Sequence, residues 1–489
     1  MPNTLLPFCI LLCSYMVSCK RYLLYDVFHG EGFNLRRDVY IRVSNLVRLL
    51  RQSTPDDSSV DVDWILVLPP WDSLPHWSTA LKGFGNYTAP TRMLPWAHFF
   101  HLPSLAQVIP VMEFEDFRIK VLPTFSPCGK IDLTLHLFRS FEEDSIYRKN
   151  EVRFCTESRR AAYKAMQLVE SDSSCVLPRA IDGPTSVLAE NHDCITGDLQ
   201  PLSLAKFLKS LTQSDSTAKP ISSILLTSAE TIIHGLWSEW SPEYWTVRRS
   251  MVFSTLLRKI GDEFRAAHLN STDVSDRTVQ PTPVAGGGDG SAWLRTHWPL
   301  SPAVGGPYVS IHWRLGDYVL PGENPWKNTP SPERLANQLI QVLSHWNSPP
   351  AISIKTVFLA TDGTHAEVSA LKHSLGPSFR VVQFIPTESQ WGQLGPGGVA
   401  IVDQWICSHA AYFLGTNPST FTFRIVEERT IMGFTFASTF NNLCANNGAR
   451  LYGSLEPDER ECEGLTAWPV VIEPEFSAPY GENHSHNEL

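Results

Sequence analysis

The feature that most constrains the fold is a strand–helix–strand pattern near the N-terminus. An apolar run at Arg21–Asp26 predicts a strand, and Asn34–Gln52 carries apolar residues at helical spacing. A second apolar run, Trp64–Leu68, ends at two prolines and predicts a buried strand. Because a helix that joins two strands in this way usually makes them parallel, the pattern favours an α/β fold with a parallel sheet.

The same alternation of strands and helices returns in the C-terminal half. Strands are predicted at Tyr308–Trp313, Thr356–Thr361, Phe379–Ile385 and Tyr412–Gly415, and helices at Pro332–Ser344, Val399–Ala411 and Ser419–Glu428. A chain of 489 residues also exceeds one ordinary hydrophobic core. We therefore expect an α/β protein of two Rossmann-like, doubly wound domains, 20–250 and 251–489, which face a central cleft. Ligands of such sheets bind beyond the carboxyl ends of the strands.

Three further segments complete the expected organisation. Apolar spacing predicts one long helix over Tyr244–His268. A stretch rich in Gly, Ser, Thr and Pro predicts a flexible insertion at about 270–304 in the C-terminal domain. Between residues 100 and 240 the pattern is weaker, and it predicts a short strand at Arg118–Leu122.

Both ends of the chain carry features of the secretory pathway. Leu5–Val17 is an apolar run of signal-peptide length, so residues 1–19 are predicted to be a signal peptide. That run is too short to span a bilayer comfortably, and no later run reaches transmembrane length. The last four residues, His486-Asn487-Glu488-Leu489, differ at one position from a retrieval signal of the endoplasmic reticulum. We expect residence in the lumen of the endoplasmic reticulum, with retrieval by a KDEL-receptor-type protein. Glycosylation sequons at Asn86, Asn270 and Asn483 add weak support.

The cysteines fit an oxidising compartment. Three of the ten lie within residues 1–19, and the others are Cys128, Cys155, Cys175, Cys194, Cys407, Cys444 and Cys462. Because their number is odd, at least one stays unpaired, and Cys407 on an apolar helical stretch is the predicted free thiol. Cys444 with Cys462 and Cys155 with Cys194 are plausible disulfides. The cysteine spacing resembles no zinc site.

A single carboxylate lies in the predicted loop between the first strand and the first helix. Glu31 stands between Gly30 and Gly32, just before the helix should begin. Glycine lets a backbone approach a ligand closely, and a helix N-terminus presents unpaired N–H groups to an anion. The loop therefore predicts a nucleotide-dependent enzyme whose base is Glu31. A chance Gly-acid-Gly in a strand–helix loop is the ordinary alternative.

Two motifs of the C-terminal half would complement this loop. Arg314 follows His312 at the end of a predicted strand, and its planar guanidinium suits a diphosphate. The alternative is a structural ion pair between Arg314 and Asp317. Ser419 and Thr420 begin a predicted helix, where their hydroxyls and the exposed N–H groups would bind phosphate unless they form an ordinary N-cap.

Asp403 is the candidate for recognition of a base. It precedes the apolar face of a predicted helix. A carboxylate can accept hydrogen bonds from the paired N1–H and N2–H donors of guanine, whereas an exposed helix cap is the ordinary alternative. The formal net charge of −10 implies no broad basic surface, so nucleic acid itself is not an expected partner.

Together these segments resemble the GDP-fucose protein O-fucosyltransferases. The resemblance is carried, in chain order, by residues 21–26, 31–38, 64–71, 244–245, 248–253, 261–265, 305–308, 403–407 and 419–421. It implies a GT-B-like fold and inverting transfer of fucose from GDP-fucose to Ser or Thr, with no cofactor and no metal ion. It also implies that the acceptor is a folded, disulfide-bonded thrombospondin type 1 repeat.

The resemblance assigns roles to single residues by their positions in these motifs. Glu31 would be the catalytic base. Substrate-binding positions would be Gly30, Glu31, Gly32, Phe33 and Asn34 in the first half, and His312, Trp313, Arg314, Asp403, Ser419, Thr420 and Phe421 in the second. Because Glu31 and Arg314 belong to opposite halves, closure of the cleft would assemble the site.

The sequence departs from the family pattern at two places. Phe28-His29 replaces the family's proline-containing lead-in to Glu31, and this could alter the angle of the base. Leu315-Gly316 replaces the basic pair that usually follows the first arginine, and this could weaken phosphate or acceptor contacts.

Three other functions stay open from the sequence, and the third of them is hydrolysis of the donor without transfer. The same transfer could act on epidermal-growth-factor-like repeats, although the spacing around Glu31 favours the thrombospondin type. The chain could instead be a lumenal quality-control protein that binds GDP-fucose or folded repeats without turnover. Retention of Glu31 together with Arg314 argues against that second alternative.

Overall fold

The structure is a computed structural model of the 489-residue chain. It describes residues 20–27, 31–52, 63–71, 74, 93–126, 129–138, 188–196, 199–213, 221–232, 241–278, 303–319, 322, 326, 328–346, 354–416 and 419–445. Several predictions lie outside these residues: the signal peptide, Gly30 with its lead-in Phe28-His29, the sequons at Asn86 and Asn483, the C-terminal tetrapeptide, and Cys128, Cys155, Cys175 and Cys462.

Six parallel strands form the N-terminal sheet. They are β1 (Arg21–Tyr25), β2 (Trp64–Leu68), β3 (Val111–Glu113), β4 (Lys130–Phe138), β5 (Leu188–Thr196) and β6 (Ser223–Thr227). Their spatial order is β3-β2-β1-β6-β4-β5. β2 and β3 extend the sheet on one side of β1, whereas β6 lies on its other side. The loop after β1 therefore leaves the sheet at a topological switch point, where α/β sheets bind ligands.

Five parallel strands form the C-terminal sheet. They are β7 (Gly306–Trp313), β8 (Thr356–Thr361), β9 (Arg380–Val382), β10 (Ala410–Thr416) and β11 (Asn442–Leu443). Their spatial order is β11-β10-β7-β8-β9. The chain builds outward from β7 to β9 and then returns to β10 on the other side of β7. The ends of β7 and β10 therefore flank the second switch point.

Helices cover both sheets. The longer ones are α1 (Phe33–Arg51), α2 (Pro201–Gln213), α3 (Pro242–Arg248), α4 (Thr255–Leu269), α5 (Pro332–Trp346), α6 (His365–Leu375), α7 (Glu388–Ser408) and α8 (Thr420–Ile431). Shorter helical turns span Trp96–His98, Leu102–Leu105, Phe114–Asp116, Phe117–Val121, Leu122–Phe125, Ala229–Thr231, Asp273–Asp276 and Phe436–Thr439. The two parallel sheets with their crossover helices confirm the predicted GT-B-like α/β fold.

One hydrophobic core joins the two halves. Val39 and Phe100 belong to the same buried cluster as Trp405 and Phe423 from the C-terminal half. The ring of Phe253 lies between the halves, 6.0 Å from the Phe100 ring centroid and 6.2 Å from that of Trp405. Since these contacts are buried, the two halves share one hydrophobic core.

Buried ion pairs cross the same boundary. Asp38 of α1 pairs with Arg424 of α8 at 2.8 Å, and Arg248 of α3 lies 2.5 Å from Glu427 of α8. These side chains are at most 2% exposed. We call the full set the interdomain charge network; it comprises Asp38, Tyr244, Arg248, Arg424, Glu427 and Glu428.

The prediction of one helix over Tyr244–His268 is wrong. The structure has two helices, α3 and α4, with residues 249–254 between them. The intervening chain pairs with another segment, because the amide of Ser254 donates to the carbonyl of Phe99, and the amide of His101 donates to the carbonyl of Val252. Tertiary pairing therefore replaces the helical bonds that local spacing predicted.

Two other local predictions need correction. The segment predicted as a strand at Arg118–Leu122 is helical, and its side chains make helix-spaced ion pairs such as Arg118 with Glu115. The described part of the predicted flexible insertion, residues 270–278, contains a short helix whose Asp276 pairs with buried Arg265. Residues 279–302 lie outside the described chain.

The prediction that Cys407 is the free thiol is confirmed. Cys407 is a free, fully buried thiol on α7, and burial raises its pKa well above the ordinary value. Cys444 is disulfide-bonded. Within the part of the chain that the structure describes, no helix has both the length and the apolar character that a bilayer span requires.

Candidate active site

Glu31 lies at the first switch point, between the end of β1 and the start of α1. Gly32 is the N-cap of α1, with ordinary extended dihedral angles (φ −73°, ψ 168°), so this glycine is not required by its conformation. The side chain of Arg36 donates from Nε to the backbone carbonyl of Glu31 at 3.1 Å. The backbone of the predicted base is therefore held by the first turn of its own helix.

The two residues after Gly32 differ in position. The ring of Phe33 is only 7% exposed and packs 4.7 Å from Trp71 and 5.1 Å from Phe99, so its side chain belongs to the core rather than to a substrate surface. Asn34 is half-buried, and its Oδ1 accepts hydrogen bonds from Gln404 of α7 and from Arg37. Asn34 thus connects the Glu31 loop to the C-terminal half.

His312 lies near the end of β7 and stacks on Phe421 with 4.3 Å between ring centroids. Its Nδ1 is 2.7 Å from the Thr422 hydroxyl, and that hydroxyl donates to the carbonyl of Thr416 at 2.8 Å. Because a hydroxyl has one proton, the Thr422 oxygen must accept from Nδ1–H of His312. Burial and the nearby Arg314 lower the pKa of His312 to about 3. The imidazole is therefore neutral, with Nε2 as a hydrogen-bond acceptor.

Arg314 follows β7 and is held by two carboxylates. Its NH2 group lies 2.8 Å from Asp317, and its NH1 group lies 2.8 Å from Asp362. The pair with Asp317 is the structural alternative raised from the sequence. The guanidinium has five N–H groups and uses three here, so two can still bind a diphosphate.

The Leu315-Gly316 departure has a structural reason. Leu315 is buried in the core of the C-terminal half, and its amide donates to Asp362 at 2.7 Å. A Cβ atom at Gly316 would lie 2.6 Å from Oδ2 of Asp362, which is the oxygen that pairs with Arg314. A side chain at position 316 would therefore disturb the carboxylate that orients Arg314.

Trp313 is not on the surface that His312 and Arg314 share. It is 0% exposed, lies in the core of the C-terminal half, and donates from Nε1 to the carbonyl of Pro330 at 3.1 Å. Successive residues of a strand point to opposite faces, so Trp313 faces away from its neighbours. The structure gives it a packing position in place of the predicted substrate contact.

Ser419 and Thr420 begin α8 beside the second switch point. Ser419 occupies the N-cap position, but its side chain makes no capping hydrogen bond. The backbone amide of Arg314 donates to Thr416 at the end of β10, so the two strand ends are joined. The free N–H groups and hydroxyls at this helix start are therefore near Arg314, and the ordinary N-cap alternative does not describe Ser419.

Asp403 lies inside α7, whose N-cap is Thr387, so the exposed-cap alternative is wrong. Its Oδ1 atom is buried and has no hydrogen-bond partner among the described residues. Burial raises the pKa of this carboxyl well above the ordinary value. An unpaired, buried carboxylate oxygen one residue from Gln404, which contacts Asn34, fits the recognition of paired N–H donors.

Sequence reasoning missed several residues of the site. Thr416 and Thr422 orient His312, Asp362 orients Arg314, and Gln404 contacts Arg37. Most of them adjoin segments that the sequence had marked, but only their partners in space reveal what they do.

One group of acidic residues and a histidine has the spacing of a metal site. Ligand atoms of Asp262, Asp273 and His409 lie within 4.8 Å of one another. The guanidinium of Arg265 contacts both Asp262 (2.8 Å) and Asp273 (3.2 Å). A cation is thus already supplied by the protein, and the cluster is an ion-pair network that fixes the start of the 270–278 segment.

Comparisons with known proteins identify the family of this chain. The family described as "GDP-fucose protein O-fucosyltransferase" matches residues 22–432. Three animal proteins called GDP-fucose protein O-fucosyltransferase 2 are similar over most of their length. The Caenorhabditis elegans protein is 34% identical over 92% of this chain and 90% of its own, and the Homo sapiens protein 33% over 94% and 91%. The Drosophila melanogaster protein is 35% identical over 92% of this chain and 82% of its own.

Solved structures of related enzymes also align. A crystal structure of POFUT1 in complex with GDP-fucose has 15% sequence identity and a TM-score of 0.47, covering 84% of this chain and 94% of the other. The family match and the similarity to the curated relatives confirm the resemblance read from the sequence motifs. The chain therefore belongs to the GDP-fucose protein O-fucosyltransferase family and is a glycosyltransferase.

Proposed function

We propose that the protein transfers fucose from GDP-fucose, with inversion, to Ser or Thr hydroxyls of folded thrombospondin type 1 repeats in the lumen of the endoplasmic reticulum. The observation that carries this proposal is a side-chain contact between the two halves beside their switch points. Glu31 follows β1, Arg314 follows β7, and the side chains of Asn34 and Gln404 connect the two halves. The proposed base and the proposed diphosphate site thus belong to halves that are in direct side-chain contact.

Inversion assigns a chemical role to each half. Glu31 takes the proton of the acceptor hydroxyl while the hydroxyl oxygen attacks C1 of fucose. The bond from C1 to the β-phosphate oxygen breaks on the opposite face, and GDP leaves with the electron pair. Arg314 and the amides at the start of α8 stabilise the departing negative charge. Because these groups can meet that charge, the proposed mechanism uses no metal ion.

The nucleotide would be held by the C-terminal half. Asp403 would accept hydrogen bonds from N1–H and N2–H of guanine through its unpaired carboxylate oxygen. The neutral His312 would offer Nε2 to a donor on the nucleotide, and Phe421 would support that ring from its other face. Ser419 and Thr420 would donate hydroxyls to the phosphates.

The test of the transfer uses purified protein, GDP-fucose and two separately folded acceptors. We expect mass spectrometry to find one added fucose on a thrombospondin type 1 repeat and none on an epidermal-growth-factor-like repeat. The isosteric change Glu31→Gln should lower kcat by about 10²–10⁴-fold and leave GDP binding unchanged. Transfer to the epidermal-growth-factor-like repeat alone would refute the acceptor. Binding of GDP-fucose without transfer to either repeat would favour the quality-control alternative, and undiminished transfer by Glu31→Gln would refute the base.

A lumenal location is supported by two described residues. Cys444 is disulfide-bonded, as expected in an oxidising compartment, and the sequon residue Asn270 is exposed. In cells, the proposal predicts an endoglycosidase H-sensitive glycan on Asn270, detected as a gel shift that Asn270→Gln removes. The location would be contradicted if neither the parent nor the Asn270→Gln variant showed the shift and the parent protein were recovered in the cytosolic fraction.

A further inference from the structure

A buried guanidinium joins two side-chain amides across the boundary between the halves. NH1 of Arg37 lies 3.0 Å from Oε1 of Gln404 and 3.4 Å from Oδ1 of Asn34. Nε2 of Gln404 donates to the same Oδ1 of Asn34 at 3.1 Å. Arg37 and Gln404 are 0% and 1% exposed, whereas Asn34 remains half-buried.

The chemistry of arginine fixes the orientation of both amides. A guanidinium has donors and no acceptor, so each amide must turn its oxygen toward Arg37. The nitrogen of Gln404 can then donate to the oxygen of Asn34. With its oxygen occupied by two donors, Asn34 must present its Nδ2 hydrogens on the other side.

The surroundings of Arg37 indicate a positioning role. No carboxylate among the described residues pairs with it, and its Nε and NH2 atoms are buried without hydrogen-bond partners there. Phe100 and Phe253 lie 5.4 Å and 5.2 Å from its guanidinium carbon and provide only aromatic faces. Burial, with repulsion from other arginines, lowers its pKa to about 9, so it remains charged at neutral pH. Such burial of a charge opposes folding unless another benefit accompanies it.

We propose that Arg37 and Gln404 are positioning residues for Asn34. They hold its side-chain amide with the N–H groups toward GDP-fucose, so that Asn34 donates a hydrogen bond to an oxygen of that nucleotide sugar. This inference rests on the proposed function. Asn34 lies three residues after Glu31, so its amide is near the reacting centre. The diphosphate of the donor offers only acceptor oxygens at neutral pH, so the opposite orientation of Asn34 would repel it.

The decisive variant is Gln404→Glu. Its carboxylate keeps the size of the side chain and still accepts from Arg37, but it has no N–H for Asn34. Repulsion between the Asn34 oxygen and the new carboxylate outweighs the long 3.4 Å contact with Arg37, so the Asn34 amide turns over to donate to the carboxylate, and its oxygen faces GDP-fucose. We expect the dissociation constant of GDP-fucose, measured by calorimetry, to rise roughly 10- to 100-fold. An unchanged dissociation constant would overturn the proposal.

A double-mutant cycle separates positioning from general damage. Asn34→Ala and Gln404→Leu should each weaken GDP-fucose binding. If Gln404 acts through Asn34, then Gln404→Leu should have almost no further effect in the Asn34→Ala background. Additive losses would overturn the proposal. Gln338→Leu is the matched control, because Gln338 is a similarly buried amide that bonds to the backbone of Cys444 rather than to Asn34.

Calorimetry of the donor alone also distinguishes this inference from the proposed function. If neither folded repeat receives fucose but the cycle shows coupling, the positioning role stands and the transfer proposal fails. If transfer occurs and the cycle is additive, the positioning role fails alone. Thermal unfolding of each variant shows whether it is folded. Asn34→Asp, at the half-buried side chain, is a second variant, and it should bind GDP-fucose weakly.

Discussion

At the scale of single residues, Asp403 combines a cost in stability with the role in guanine binding that we propose for it. Its buried Oδ1 has no partner within the described chain, and burial raises the pKa of the carboxyl well above the ordinary value. Folding therefore favours the protonated form. The protonated carboxyl contributes its whole stabilisation at pH values below the unfolded-state pKa. This stabilisation is lost as the pH rises through the folded-state pKa. At neutral pH the ionised side chain opposes folding.

We therefore expect Asp403→Asn to be more stable than the parent at pH 7 and to bind GDP more weakly. Its melting temperature should rise by about 2–4 °C for each kcal/mol gained, and the rise should vanish near pH 4. GDP affinity should fall roughly 10- to 100-fold, because the amide cannot accept from both guanine donors. Scanning calorimetry and titration calorimetry measure the two effects.

Asp132 gives the matched control for this prediction. It is also buried, but its Oδ2 accepts three hydrogen bonds from Ser222 and Ser223. Asp132→Asn should therefore lower the melting temperature and leave GDP affinity unchanged. A destabilised Asp403→Asn with normal GDP affinity would show that Asp403 has a structural role only.

His312 predicts a pH dependence of opposite sign. Burial and Arg314 lower its pKa to about 3, whereas the unfolded chain titrates near the ordinary value of about 6.5. Between these values the unfolded state binds the extra proton, so stability falls as pH drops below about 6.5. The difference in melting temperature between the parent and His312→Gln should shrink across this range. A difference that stays constant from pH 7 to pH 4 would contradict the neutral, buried imidazole.

At the scale of elements, two helices differ in whether the side chain of the N-cap residue caps the helix. Thr364 caps α6 in a capping box, with both reciprocal hydrogen bonds present. Ser419 stands at the same position of α8 without a side-chain cap bond. A serine that does not cap its helix is available to an anion at the N-terminus.

The two N-cap residues therefore predict opposite results. Thr364→Ala should lower the free energy of unfolding by about 1 kcal/mol and leave GDP affinity unchanged. Ser419→Ala should leave stability unchanged and weaken GDP binding about threefold to tenfold. Chemical denaturation and calorimetry on both variants give the comparison. Loss of stability in Ser419→Ala with unchanged GDP affinity would restore the ordinary N-cap interpretation.

The sequence predicted the elements best where the chain's own periodicity decides them. β2 at Trp64–Leu68 and β8 at Thr356–Thr361 have their predicted bounds, because both are apolar runs buried on two faces. α7 consists of two helical stretches separated by a kink at Gly395 (φ 60°, ψ 176°), and the helix predicted at Val399–Ala411 corresponds to the second stretch, which ends at Ser408. The break between α3 and α4 depends on pairing with residues 99–101, which no local pattern contains.

At the scale of the whole molecule, the site depends on contacts that sequence spacing does not contain. Arg37 and Gln404 are separated by 367 positions along the chain, so neither motif alone indicates the pair. The sequence did place Glu31 and Arg314 at strand ends, because switch points follow from topology. It placed Trp313 and Phe33 beside them by motif position, but burial assigns both side chains to the core.

The expectation that closure of a cleft assembles the site also changes at this scale. The halves already share one hydrophobic core and the interdomain charge network. Separating the halves would break the buried pair of Asp38 with Arg424 and expose the shared apolar core to water. We infer that the site is largely preassembled, with the network holding α1 and α8 together.

This inference predicts the effect of breaking the network at Arg424. Arg424→Met leaves Asp38 buried without its arginine partner and removes one of the two arginines that contact Glu427, so it should lower the free energy of unfolding by about 3–5 kcal/mol. Adding Asp38→Leu removes one stranded carboxylate, and the double variant should be more stable than Arg424→Met alone. Arg118→Met, at an exposed ion pair of the N-terminal half, should show no measurable change. Denaturant unfolding measures all three, and an Arg424→Met protein as stable as Arg118→Met would mean that the charge network does not hold the halves together.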